Sequence, residues 1–73
     1  MARVIVEVER GRFADAYEFI MSKFGPHIER IEQLPLGRNV FHITFRTDLP
    51  VVDIVDVFMK YNKLDLVKLI EGV

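Results

Sequence analysis

The chain has 73 residues, with ten Lys plus Arg, eleven Asp plus Glu and no cysteine, and 51% of its residues are hydrophobic. A chain of this length buries only about 60% of its unfolded surface, so residues 1–73 are expected to form one domain stabilised by apolar packing. The missing cysteines exclude disulfides and thiolate metal sites. With no signal sequence and no apolar run of about 18 residues, we expect a cytoplasmic protein that does not contact a membrane.

The charges are balanced along the chain. Six basic and six acidic residues occur up to Arg38, and four basic and five acidic residues follow it. Proteins bind nucleic-acid backbones through a basic excess, and neither half of the chain has one. General affinity for nucleic acid is therefore not expected.

The first half of the chain predicts a strand, a helix and a second strand. Residues 3–9 alternate between two sets of side chains, which is typical of a strand. Residues 12–24 carry apolar side chains at helical spacing, and Gly25 followed by Pro26 forms a stop signal. Residues 27–34 have a weaker pattern with several charges, which favours a strand at the edge of a sheet.

The longest alternation lies in residues 39–47 and predicts a central strand. Phe41, Ile43 and Phe45 share one of its faces and are expected to pack beneath the helices. A turn at residues 35–37 joins this strand to the preceding one as a hairpin.

The last part of the chain predicts a second helix followed by a fourth strand. Asp48 is expected to cap the helix at its start, with Pro50 in the first turn, and Asn62 is expected to end it. Residues 64–70 either form a strand or prolong the helix. We favour the strand, because a helix without a stop at Asn62 would run for about twenty residues, too long for so small a domain.

This order of elements resembles the ferredoxin-like βαββαβ plan of the α+β class. That plan has a four-stranded antiparallel sheet with both helices on one face. The resemblance is one of architecture and identifies no family, since the plan hosts enzymes, RNA binders, metal carriers and regulatory modules.

No pattern of catalytic or metal-binding residues stands out. His27 and His42 lie in different strands, and no set of carboxylates accompanies them at metal-ligand spacing. Phosphate-binding loops, dinucleotide fingerprints and nucleophile motifs are absent from the sequence. Carboxylate pairs such as Glu7 and Glu9 are interpreted as solvated surface. We therefore expect no enzyme activity, no metal and no cofactor.

Two weaker hypotheses concern basic residues. Arg10, Gly11 and Arg12 precede the first helix and could hold an anion, although a solvated turn is the simpler interpretation. Nucleic acid could bind through Arg3 and Arg46 together with this loop. RNA binding by exposed aromatic rings is disfavoured, because the rings of the third strand are expected to be buried.

The leading hypothesis is a non-catalytic protein-interaction module that forms a homodimer, or binds another protein, through the uncovered face of the sheet. Antiparallel pairing of the first and third strands places Ile5 by Thr44, Glu7 by His42 and Glu9 by Val40. Four of the face residues, Ile5, Val40, Val67 and Leu69, are expected to form an apolar patch, which on a small protein often marks a contact surface. The alternative is that scattered apolar surface residues carry no function. The predicted interface comprises Ile5, Glu7, Val40, His42, Thr44, Val67 and Leu69.

Overall fold

The computed structural model describes residues 2–34 and 39–72, and the predicted turn at residues 35–37 lies outside them. The elements follow in the order β1 (Ala2–Glu9), α1 (Phe13–Phe24), β2 (Ile28–Gln33), β3 (Val40–Thr47), α2 (Val51–Lys60) and β4 (Val67–Gly72). Short 3-10 helices at Arg10–Arg12 and Leu64–Leu66 precede α1 and β4. None of the helices in these described segments is long and apolar enough to cross a membrane.

The strands form one antiparallel sheet of four strands in the order β2-β3-β1-β4. The predicted α+β class is thereby confirmed, with β1 and β3 in the centre and β2 and β4 at the edges. The register predicted between β1 and β3 is also confirmed: Ile5 pairs with Thr44, Glu7 with His42 and Glu9 with Val40.

The core includes one face of the sheet and apolar residues of both helices. Val4, Val6 and Val8 are fully buried on that face, as the alternation in β1 predicts. Their cluster includes Ala16, Phe19 and Ile20 from α1, Ile54 and Phe58 from α2, and Ile43 and Phe45 from β3. The helices add ring contacts, with centroid distances of 4.7 Å for Phe13–Phe41, 4.8 Å for Phe19–Phe58 and 5.1 Å for Phe24–Phe45. In a chain of this size, such burial provides most of the favourable free energy.

The ends of α1 and α2 partly follow the sequence prediction. Gly25 ends α1 with a positive φ of 81°, which glycine adopts without steric cost. Pro50, rather than the predicted Asp48, is the first residue flanking α2. The reason is that the extended Pro50 already presents its carbonyl to Asp53 N–H at 3.0 Å and Ile54 N–H at 3.2 Å.

Asn62 stops α2, as predicted, by taking the left-handed conformation with a φ of 57°. Its N–H donates to the Met59 carbonyl at 3.0 Å, and the Lys63 N–H donates to the Phe58 carbonyl at 2.7 Å. These bonds satisfy carbonyls that the last helical turn leaves without an intrahelical partner. The chain can therefore turn towards β4 instead of prolonging the helix.

The strand alternative for the last segment is correct, but the predicted bounds and one side-chain direction are wrong. Leu64, which falls within the predicted strand, instead lies in the 3-10 helix and is 40% exposed. Leu69 pairs with Glu7 whereas Val67 pairs with Val8, so Lys68 is an extra residue that shifts the register. Such a bulge places the residues on its two sides on opposite faces of the sheet. Leu69 therefore lies on the face of Glu7, whereas Val67 packs against the core.

Candidate interaction surface on the sheet

The face of the sheet opposite the Val4 side carries most of the residues that sequence reasoning selected as an interface, but not Val67. Cross-strand partners in an antiparallel pair share one face, so the register assigns each residue to a side. We call this surface the Glu7–His42 face, and it consists of Arg3, Ile5 and Glu7 from β1, His42, Thr44 and Arg46 from β3, and Leu69 and Glu71 from β4.

A partly buried pair lies at the centre of this face. A hydrogen bond of 2.9 Å joins His42 Nε2 and Glu7 Oε1, and the two side chains are only 25% and 14% exposed. The β1–β3 register brings the two residues together by placing them directly opposite each other. Because water screens a half-buried pair less than an exposed one, this contact fixes both side chains more firmly than a surface ion pair does.

One end of the face is closed by a carboxylate between two guanidinium groups. Arg3 Nε lies 3.0 Å from Glu29 Oε1, and Arg46 Nε also contacts Glu29, through Oε2. Glu29 reaches them because β2 has a register shift between Ile28 and Arg30, which turns its side chain towards this face. Sequence reasoning missed this role. Arg3 and Arg46, two of the arginines proposed for nucleic-acid binding, therefore share one carboxylate, which offsets part of their combined charge.

The apolar patch is smaller than the sequence predicted. Leu69 is 45% exposed and Ile5 is half-buried, so both contribute surface to the face. Val40 lies opposite Glu9 but is only 5% exposed, and Val67 packs against the core on the other side. The expectation that Val40 and Val67 extend the patch is therefore wrong, and its apolar part reduces to Ile5 and Leu69.

The Arg10-Gly11-Arg12 segment is already engaged with its surroundings. Arg12 Nη2 lies 3.3 Å from Asp65 Oδ2, and the Arg10 N–H donates to the Asn39 carbonyl at 3.0 Å. A carboxylate beside Arg12 competes with any anion for its guanidinium group. Anion binding by this segment stays a prediction, with no further observation in its favour.

The remaining features are shallow depressions. One on the Glu7–His42 face is lined by Arg3, Ile5, Glu29, Arg30 and Thr44. A second lies between α1 and the β2 edge, lined by Tyr17, Met21, Pro26, Ile28, Glu29, Arg30 and Ile31. Across residues 2–34 and 39–72, no group of three or more His, Cys, Asp or Glu is placed to hold a metal ion.

Comparisons of the chain with protein-family models, with curated proteins and with solved structures found no match. The function must therefore be inferred from the geometry of these surfaces.

Proposed function

We propose that this chain is a small, non-catalytic protein-interaction module that forms a homodimer by packing the Glu7–His42 faces of two copies together. The observation that carries the proposal is the position of Leu69. It is a large apolar side chain, 45% exposed, next to Glu7 on a face that also presents Ile5. A two-fold axis through this region lets each copy bury the same apolar residues against the other.

The proposal includes a ferredoxin-like arrangement with both helices on the face opposite Glu7 and His42. Contacts of the helices favour it, because Phe13 and Phe24 of α1 contact Phe41 and Phe45 of β3. Phe58 of α2 belongs to the same buried cluster as Phe45. With both helices on that side, the Glu7–His42 face is the side left for a partner.

The charged groups around Ile5 and Leu69 define what the partner surface must provide. The central Glu7–His42 pair and the Arg3–Glu29–Arg46 cluster are mostly satisfied within one chain. This internal pairing lowers the number of unpaired charges that two such faces bury on contact, and unpaired buried charge is the main cost of burying polar groups. The small apolar area predicts a modest affinity rather than an obligate dimer.

Light scattering coupled to size-exclusion chromatography tests this proposal. Leu69→Glu places a charge in the contact, so we expect the solution mass to fall relative to wild type at equal concentration. Val52→Glu is the matched control, since Val52 is 64% exposed and belongs to α2 rather than to a strand of the sheet. A Leu69→Glu variant that is folded by circular dichroism and keeps the wild-type mass overturns the proposal.

The same experiment separates the alternatives of nucleic-acid and phosphate binding. Nucleic acid bound to the protein raises the 260/280 nm absorbance ratio of the peak, and its retention falls steeply with salt. Phosphate-containing ligands that bind the Arg10-Gly11-Arg12 segment raise the unfolding temperature. We expect neither effect, because Glu29 lies between Arg3 and Arg46 and Asp65 lies beside Arg12.

A further inference from the structure

We propose that the free edge of β2 pairs antiparallel with β2 of a second copy, about a two-fold axis at Ile31. The sheets of the two copies then join edge to edge into one continuous sheet. This contact uses a different surface from the Glu7–His42 face and does not rest on the function proposed above.

The backbone of β2 is oriented for such pairing. The Leu34 N–H donates to the Val40 carbonyl at 3.2 Å, in continuation of the register that pairs Glu32 with His42 and Arg30 with Thr44. In an antiparallel pair, the bonded positions alternate along the strand. The N–H and C=O groups of the intervening residues Ile31 and Gln33 therefore point away from β3. No strand in the described part of the chain lies on that side of β2.

The charges of β2 complement a second copy in one register only. With the axis at Ile31, Arg30 lies opposite Glu32 of the second copy, and the pair occurs twice by symmetry. An axis at Arg30 places Arg30 opposite its own copy, and an axis at Glu32 places Glu32 opposite its own copy. Directly opposed like charges destabilise a strand pair. Within one chain Arg30 Nη2 lies 3.7 Å from Glu32 Oε2, but the two side chains are 70% and 51% exposed, so both are accessible to a partner.

The apolar side chain at the centre of the edge favours the same axis. Ile31 is 44% exposed although its cross-strand partner Ile43 is fully buried. It borders the depression between α1 and β2, whose lining includes Tyr17 and Met21. Pairing about Ile31 brings the two isoleucines together on the helix side and covers part of this apolar surface.

The length of the paired segment limits the strength of the contact. The bulge at Glu29 interrupts the edge before Arg30, and β2 ends at Gln33. Strand pairing over so few residues buries less than the roughly 1,200 Å² of a standard stable interface. We therefore expect a transient dimer, which forms at high protein concentration.

A charge-exchange experiment in the Leu69→Glu background tests the edge contact without interference from the sheet face. Sedimentation velocity is measured over a concentration series up to millimolar. Arg30→Glu and Glu32→Arg each place like charges opposite each other twice, and should weaken self-association about tenfold or more. A mixture of these two variants, and the double variant Arg30→Glu/Glu32→Arg, restore opposite charges and should regain it.

Amide hydrogen exchange gives a second readout at the edge itself. In the Leu69→Glu background, the amides of Ile31 and Gln33 should become protected as the concentration rises, while exposed amides elsewhere do not change. A Leu69→Glu protein that stays monomeric up to millimolar concentration overturns the proposal. So does failure of the mixed variants to associate. Because every sample carries Leu69→Glu, these results are independent of whether the Glu7–His42 face forms a dimer.

Discussion

The bond between Glu7 and His42 should contribute more free energy than an ordinary surface ion pair. Exposed pairs contribute about 0.2–1 kcal/mol, whereas hydrogen bonds to charged groups that are shielded from water contribute about 1.5–3 kcal/mol. The Glu7 and His42 side chains are 14% and 25% exposed and 2.9 Å apart, which places them between these limits. We expect a coupling free energy of about 1 kcal/mol at pH 7.

A double-mutant cycle measures this coupling. Glu7→Gln removes the negative charge while keeping the shape, and His42→Asn removes the Nε2 atom that reaches Glu7. Urea unfolding of the two single variants, the double variant and their parent gives the coupling, with Leu69→Glu in all four to avoid dimer effects. The pair Arg12–Asp65, at 3.3 Å with side chains 42% and 69% exposed, is the control and should couple by less than about 0.5 kcal/mol. A Glu7–His42 coupling no larger than the control value refutes the reasoning.

Three further substitutions, with Gly11→Ala as a control for one of them, test the fold by urea unfolding. Gly25→Ala should cost about 1–3 kcal/mol, because Gly25 has φ 81° and ψ −177°, a backbone conformation nearly confined to glycine. Ile43→Val should cost about 0.5–1.5 kcal/mol by removing a methyl group from a fully buried site. Gly72→Ala should destabilise measurably, since a Cβ there meets Val51 Cγ2 at 2.8 Å, whereas Gly11→Ala, with nothing within 4 Å of its Cβ, should have a smaller effect. Equal effects at Gly72 and Gly11 would contradict the close packing of α2 on β4.

The sheet register was predictable because two constraints agree. The alternation in β1 and β3 separates Val4, Val6 and Val8 from Ile5 and Glu7, and a slip of one residue would move the whole apolar set to the wrong face. An antiparallel pairing of the two central strands then leaves little freedom in the register. The contact between Glu7 and His42 follows from that register alone.

The bulges at Glu29 in β2 and Lys68 in β4 could not be predicted in this way. The prediction of faces depends on strict alternation, and an inserted residue breaks that alternation. In β2 the signal was present: Ile28 and Ile31 are three residues apart, yet both pair with core residues of β3. A regular strand places such residues on opposite faces, so their spacing indicates an extra residue at Glu29. At Lys68 the sequence offers no comparable signal, which is why Val67 was assigned to the wrong face.

The start of α2 shows a different limit of local reasoning. Asp48 is a good capping residue by type, but capping preferences are worth only about 1 kcal/mol and tertiary contacts outweigh them. Thr47 is buried at the end of β3, and its Oγ1 accepts the Leu49 N–H at 3.2 Å. The chain leaves the sheet in this turn, so the helix begins two residues later than Asp48 would allow.

The two proposed contacts are geometrically compatible, because their symmetry axes differ. Antiparallel pairing at the β2 edge has its two-fold axis perpendicular to the sheet, whereas face-to-face packing around Leu69 has its axis parallel to the sheet. A copy joined at Ile31 therefore leaves the Glu7–His42 face free, and edge pairing sets two such faces side by side. A partner that contacts both faces then gains from effective concentration even when each contact alone is weak. On this reasoning, the alternating charges of β2 both prevent unspecific pairing of the edge and select one register for a second copy.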